Sequence, residues 1–184
     1  MAVQIVLGHG ASGTAASMSP YVDGLRAHGL AAAAIDLRRG KAEDAMDGFW
    51  SATEALLEPG PTNRLVLGGQ SFGGRVASLV AAQRGGDPTA NIRGLVCFSY
   101  PLHRPGAPES WDARTAHWPR IECPVLLLSG ESDPFARLEL LQAAIGRLTN
   151  AELVTYPRLG HGLKPVLADV LDRVAAFVDR LDPA

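Results

Sequence analysis

Short apolar runs and longer amphipathic stretches alternate along the chain, and glycine or proline punctuates most of the junctions. The runs at residues 3–7, 30–35, 64–67, 92–98, 125–128 and 152–156 are too short for amphipathic helices and read as buried strands. Between them, helical patterns cover residues 43–57, 72–84, 136–148 and 164–181. Ser19-Pro20 opens a further helix as N-cap and first helical position, ending near His28-Gly29. The Glu58-Pro59-Gly60-Pro61 and Gly85-Gly86 segments are stops. Residues 38–41 form a basic loop, and residues 100–120, rich in Pro, His, Arg and Trp, read as one long irregular connection. Strands alternating with helices predict an α/β architecture, with about six mostly parallel strands and helices on both faces. Such sheets carry ligands beyond the carboxyl ends of their strands, where His9, Asp36, Ser71, Tyr100, Asp133 and His161 all fall.

Length and composition narrow the class without naming an activity. A chain of 184 residues makes one domain, long enough to bury about 70% of its unfolded surface. With 47% hydrophobic and 20% charged residues and a formal charge of −2, it carries no footprint of a nucleic-acid or anionic-membrane binder. No stretch approaches the roughly 18 unbroken apolar residues of a membrane span, and no charged leader precedes the first strand, so a cytoplasmic protein is expected. Cys97 and Cys123 form neither a C-x-x-C pair nor a disulfide framework, and reduced thiols are expected. Cys97, inside an apolar run, reads as a small buried hydrophobe.

Candidate chemistry centres on Gly69-Gln70-Ser71-Phe72-Gly73, a G-x-S-x-G nucleophile elbow between a predicted strand and a predicted helix. A serine hydroxyl is nearly inert at neutral pH and needs a base within hydrogen-bond reach, itself oriented by a carboxylate. Asp133, after the fifth strand, and His161, between Gly160 and Gly162 before the last helix, follow Ser71 in the order nucleophile, acid, histidine. Glu131 is the alternative acid, ranked second because the glycine-led turn has not finished where it stands. The N–H of Phe72 and one from Ala11 or Ser12 are the expected oxyanion donors. Candidate substrate contacts are His9, Tyr100, His103, Arg114 and His117, with Arg114 and His103 able to hold a carboxylate or phosphate. The scattered histidines form no recognisable metal-ligand set, so neither metal nor cofactor is expected. His28 reads as a helix C-terminal residue, and Phe49 and Trp50 as packing residues.

A rival reading comes from a different class. Gly8-x-Gly10-x-x-Gly13 follows a strand and matches a dinucleotide fingerprint, with Asp36 placed to take a ribose hydroxyl and Arg38 and Arg39 suited to a 2′-phosphate. Against it stand the bulk of His9 inside the turn and a helix start as late as Ser19.

The segments Gly-Gly-Gln-Ser-Phe-Gly-Gly-Arg, Leu-Ser-Gly-Glu-Ser-Asp-Pro-Phe and Gly-His-Gly resemble the α/β-hydrolase superfamily over nearly the whole chain. Together with Arg114 and His117, the Tyr100-Pro101-Leu102-His103-Arg104-Pro105-Gly106 segment is similar to a small lidless branch. That branch comprises predicted bacterial hydrolases related to dienelactone hydrolases, a testis-expressed protein and the hydrolase-like domain of a histone-acetyltransferase-complex subunit. The resemblance implies a minimal sheet lacking the first two strands of the full fold, no lid domain, and a Ser71–His161–Asp133 hydrolase of small carboxylic esters or thioesters. Dienelactone hydrolases use a cysteine where Ser71 stands. Some relatives serve as interaction domains, so a hydrolase-like binding module with little turnover is the alternative.

Overall fold

In the computed structural model, which describes residues 3–57 and 64–181, six strands form one wholly parallel sheet. They are β1 (Val3–Gly8), β2 (Ala31–Ile35), β3 (Arg64–Gln70), β4 (Ile92–Phe98), β5 (Val125–Gly130) and β6 (Ala151–Tyr156), ordered β2-β1-β3-β4-β5-β6. Six helices flank them: α1 (Ser19–Ala27), α2 (Met46–Ala55), α3 (Phe72–Arg84), α4 (Trp111–Thr115), α5 (Leu138–Ile145) and α6 (Leu167–Leu181). Parallel strands need a crossover of a dozen or more residues, and helices supply most of these, which explains why the strands are apolar on both faces.

Alternation along each strand divides the core in two. Leu65 and Leu67 of β3 and Val125 and Leu127 of β5 pack with Phe49 of α2, Val76 and Val80 of α3 and Leu141 of α5. Val66, Leu126 and Leu128 face the other way, onto Tyr21 and Leu25 of α1 and Val170, Val174 and Phe177 of α6. The buried positions of α6, Val170, Leu171, Val174, Phe177 and Val178, recur at the helical period and leave its outer face charged. Phe49 and Trp50 are core residues, as their pattern suggested.

The boundaries depart from the sequence reading in instructive ways. β3 and β5 run past their apolar residues, because Gly69 still pairs with Cys97 of β4 and Gly130 with Tyr156 of β6. The pattern at 43–57 divides into a 3-10 turn, Glu43–Ala45, and α2. The expected stop at residues 58–61 lies outside the described residues. The 100–120 connection is not irregular throughout: it holds a 3-10 turn at Pro108–Ser110, α4, and a second at Trp118–Arg120. No separate lid stands between β4 and β5. Among the described residues no helix is long and apolar enough to cross a membrane.

Candidate active site

The turn after β3 is strained, and it is tight because two glycines permit it. Ser71 adopts φ 50° and ψ −112°, a conformation that non-glycine residues rarely hold. Its N–H donates to the carbonyl of Phe98 at 2.8 Å and its own carbonyl accepts from Arg75 at 3.0 Å, so the neighbouring strand and the first turn of α3 pin both sides. Gly69 and Gly73 flank the serine at two residues on either side, both against the backbone of Gly8 in β1. A Cβ at Gly73 would meet the Gly8 carbonyl and come within 2.8 Å of its Cα. The hydroxyl therefore stands above the carboxyl edge of the sheet, beside N–H groups at the start of α3 that lack partners in the helix ladder.

Two further loops converge on it. After β5, the Asp133 side chain turns inward, fully enclosed. Its Oδ1 accepts the N–H of Phe135 at 2.8 Å, an Asx turn that sets the direction of the carboxylate. The loop after β6 docks closely because residue 130 is glycine: a Cβ there would strike the carbonyls of Leu159 and Gly160. Ser132 N–H then donates to Leu159 O at 2.9 Å, tying the acid loop to the histidine loop.

His161 joins the three. Its Nδ1 lies 2.8 Å from Asp133 Oδ2 and its Nε2 lies 2.8 Å from Ser71 Oγ. An ionised carboxylate can only accept, so Nδ1 carries the proton, and the Nε2 lone pair faces the serine O–H. The Phe135 ring packs against the imidazole with centroids 4.5 Å apart, and a quarter of the histidine side chain remains exposed. Glu131 is engaged elsewhere, accepting from Thr155 Oγ1 at 2.9 Å.

Ala11, Ser71, Phe72 and Phe135 line one wall of an open cavity of about 670 Å³. Ala11 and Ser12 form the tip of a turn closed by Gly13 N–H on Gly10 O at 2.9 Å; Ala11 borders the cavity and Ser12 does not.

Of the expected substrate contacts, Arg114 alone reaches this cavity. His9, Tyr100, His103 and His117 are at most 5% exposed, and each is turned inward onto the protein's own polar groups. His9 bridges Gly10 O (2.7 Å) and the N–H of Leu37 (2.9 Å). His103 bridges Arg104 O (2.9 Å) and the N–H of Arg137 (3.0 Å). Tyr100 donates to Arg114 O at 3.0 Å, and His117 Nε2 meets Ser78 Oγ at 2.8 Å. His103 is thus corrected from an anion-binding residue to a backbone brace, since both ring nitrogens are already used. Lys41, Glu43, Arg75 and Arg104 line the cavity instead. Sequence reasoning passed over them, although Arg75 stands two residues past the elbow and Lys41 ends the basic loop.

A family model for the alpha/beta hydrolase domain matches residues 2–175. The chain belongs to the alpha/beta hydrolase domain family. Solved structures agree with this hydrolase on the fold. The monoacylglycerol lipase of Paleococcus ferrophilus superposes with a TM-score of 0.80 at 17% identity, over 97% of this chain and 95% of that one. Est1E from Butyrivibrio proteoclasticus gives 0.79 at 16%, over 98% and 88%. An esterase of Pyrococcus furiosus gives 0.78 at 18%, over 97% and 80%.

The rival dinucleotide reading finds no support in the hydrolase's first loop. The Gly8–Gly13 stretch does not open a helix; a 3-10 turn begins at Ala15 and α1 at Ser19. The Asp36 carboxylate, expected at a ribose, accepts the N–H of Ala15 at 2.7 Å. His28 caps the C-terminal end of α1, with Nε2 2.9 Å from Asp172; the Gly24 carbonyl and Asp172 both raise its pKa.

Proposed function

We propose that this hydrolase cleaves a small carboxylic ester or thioester through a serine acyl-enzyme. The observation that carries the reading is the unbroken chain Asp133–His161–Ser71, with both links at 2.8 Å, opening onto the cavity. Ser71 Oγ attacks the substrate carbonyl carbon while its proton passes to His161 Nε2. The bond to the leaving oxygen or sulfur breaks, and the leaving group departs with that proton. Water then attacks the acyl carbon, giving its proton to His161, and the carboxylic acid leaves as Ser71 recovers its hydrogen. Asp133 fixes the imidazole tautomer and stabilises the cation formed in each half-reaction. The N–H of Phe72 and an N–H of the Ala11–Ser12 turn are proposed to receive the oxyanion, the former at a helix N-terminus whose dipole favours negative charge.

The test is intact mass after incubation with a fluorophosphonate, for the wild type and Ser71→Ala. One adduct on the wild type alone is the expected result. A folded wild-type protein that takes no adduct, or a Ser71→Ala variant that still hydrolyses esters, would refute the reading and leave a hydrolase-like binding module.

A further inference from the structure

The cavity beside Ser71 is cationic. Lys41, Arg75, Arg104 and Arg114 line it, and Glu43 is the acidic side chain among its lining residues. Glu43 is committed to Arg75, with Oε1 2.6 Å from Nη2. Among the described residues, Lys41, Arg104 and Arg114 have no carboxylate partner. Arg114 is half-buried, and burial, then the charge of Arg75, with a further push from Arg104, weakens its hold on the proton. An arginine stays protonated all the same, so the wall keeps a positive charge that the protein itself does not neutralise.

The backbone carrying these charges is fixed from beneath. Arg104 N–H donates to Ser110 Oγ at 3.0 Å, and its carbonyl accepts from Ala107 N–H at 3.0 Å and faces His103 Nδ1 at 2.9 Å. His103, 2% exposed, accepts the N–H of Arg137 on its other nitrogen, so Nδ1 is the donor to Arg104. The Arg114 carbonyl accepts from Tyr100 Oη at 3.0 Å and from Arg75 Nη1 at 3.3 Å, while Arg114 Nη1 donates to Pro101 O at 2.8 Å. Buried polar side chains hold two like-charged arginines on adjoining segments, against their mutual repulsion, at the mouth that contains the serine.

We propose that this site selects acyl substrates bearing an anion, carboxylate or phosphate, bound by Arg104 and Arg114 while the scissile carbonyl lies at Ser71. The proposal rests on the serine-hydrolase reading. A guanidinium presents a planar fork of donors that matches both oxyanions, and Arg114 has donors left after its one bond to Pro101. Lys41, exposed at the rim, adds long-range attraction. The cavity volume suits a small acyl ester.

Two substrate pairs test this. One is 4-nitrophenyl hemiglutarate against 4-nitrophenyl valerate, which differ by a terminal carboxylate on the acyl chain; the other is 4-acetoxyphenyl phosphate against phenyl acetate. Wild type is expected to prefer the anionic member of at least one pair by about tenfold in kcat/KM, the effect of one charge-assisted hydrogen bond. That ratio should fall about tenfold in Arg104→Ala, invert in Arg104→Glu and shrink with added salt. The pair showing the preference identifies the anion. Ratios at or below one in both pairs, or a ratio that Arg104→Glu leaves in place, overturn the proposal while sparing the hydrolase reading. If wild type turns over none of the four esters, the fluorophosphonate adduct still decides the hydrolase reading. Calorimetry with glutarate and with inorganic phosphate then decides: binding to wild type that Arg104→Glu abolishes upholds the anion site, and absent or equal binding overturns it.

Discussion

Lowering the pH from about 7.5 to about 5 should remove about 2 kcal/mol of folding stability through one residue, His117. The ring is 5% exposed and its Nε2 sits 2.8 Å from Ser78 Oγ, inside the contact between α3 and the 100–120 connection. Burial first, then the charges of Arg75 and Arg120, lowers its pKa from 6.5 to about 4, with Glu43 opposing weakly. In the unfolded chain the same imidazole takes a proton near its ordinary value. Between those two values the unfolded state binds more protons than the folded one, so stability rises with pH through the window and falls as the pH drops through it. The whole span corresponds to about 3 kcal/mol at 1.36 kcal/mol per pH unit, of which about two thirds is lost by about pH 5. Urea unfolding of wild type and His117→Gln across this range isolates the site, because the other titrating groups cancel in the difference between the two curves. The stability advantage of wild type over His117→Gln should shrink by about 2 kcal/mol on going from about pH 7.5 to about 5. Parallel curves would refute the argument. A direct titration of the His117 ring by NMR gives the same answer without a variant: a midpoint near 6.5 rather than about 4 would show that burial does not exclude the charged form.

Further expectations concern the elbow, the acid and the thiols. Gly73→Ala drives a methyl group into the Gly8 backbone and should destabilise the protein by about 2–4 kcal/mol in urea unfolding; wild-type stability would show that the close approach is not required. Asp133→Asn keeps the side-chain shape but no longer enforces the Nδ1–H tautomer, so esterase kcat should fall by about four orders of magnitude with the circular dichroism spectrum unchanged. Burial raises both thiols, Cys97 strongly and Cys123 to about 12, so an aromatic disulfide reagent should react with neither in the native protein within minutes and with both in denaturant.

The sequence is legible where a single local constraint decides the outcome. β4 and α3 begin and end where the pattern places them, because a run buried on both faces, or a helix opened by the elbow and followed by Gly85-Gly86, leaves few alternatives. β3 and β5 were underestimated for a physical reason: glycine and serine end an apolar run but do not end a hydrogen-bonded ladder, which here continues to Gln70 and Gly130. α5 begins at Leu138, later than residue 136, because the Asp133 carboxylate captures the N–H of Phe135 and Arg137 keeps an extended ψ of 130°. The Ser71, Asp133 and His161 constellation was visible because it depends on chain order and glycine punctuation. The cavity wall was not, because membership depends on which way rings turn after the loops have packed.

The misplaced histidines show why. A histidine at the carboxyl end of a parallel strand can serve a ligand or the backbone, and both uses leave the same mark in a sequence. Loops folded over that edge lack a ladder, yet their N–H and C=O groups still need partners once water is excluded. A neutral imidazole offers one donor and one acceptor that point away from each other, so a single buried ring can join two separate segments. His9 does this between Gly10 and Leu37, coupling the turn that borders Ser71 to the loop leading to Lys41. His103 does it between Arg104 and Arg137, coupling the cavity wall to the approach of α5, just beyond Asp133 and Phe135. Among the described residues no separate lid stands ready to order these loops around a substrate. Bridging histidines beneath the surface provide that order in advance, so the residues that touch nothing but the protein set the geometry of those that face the cavity.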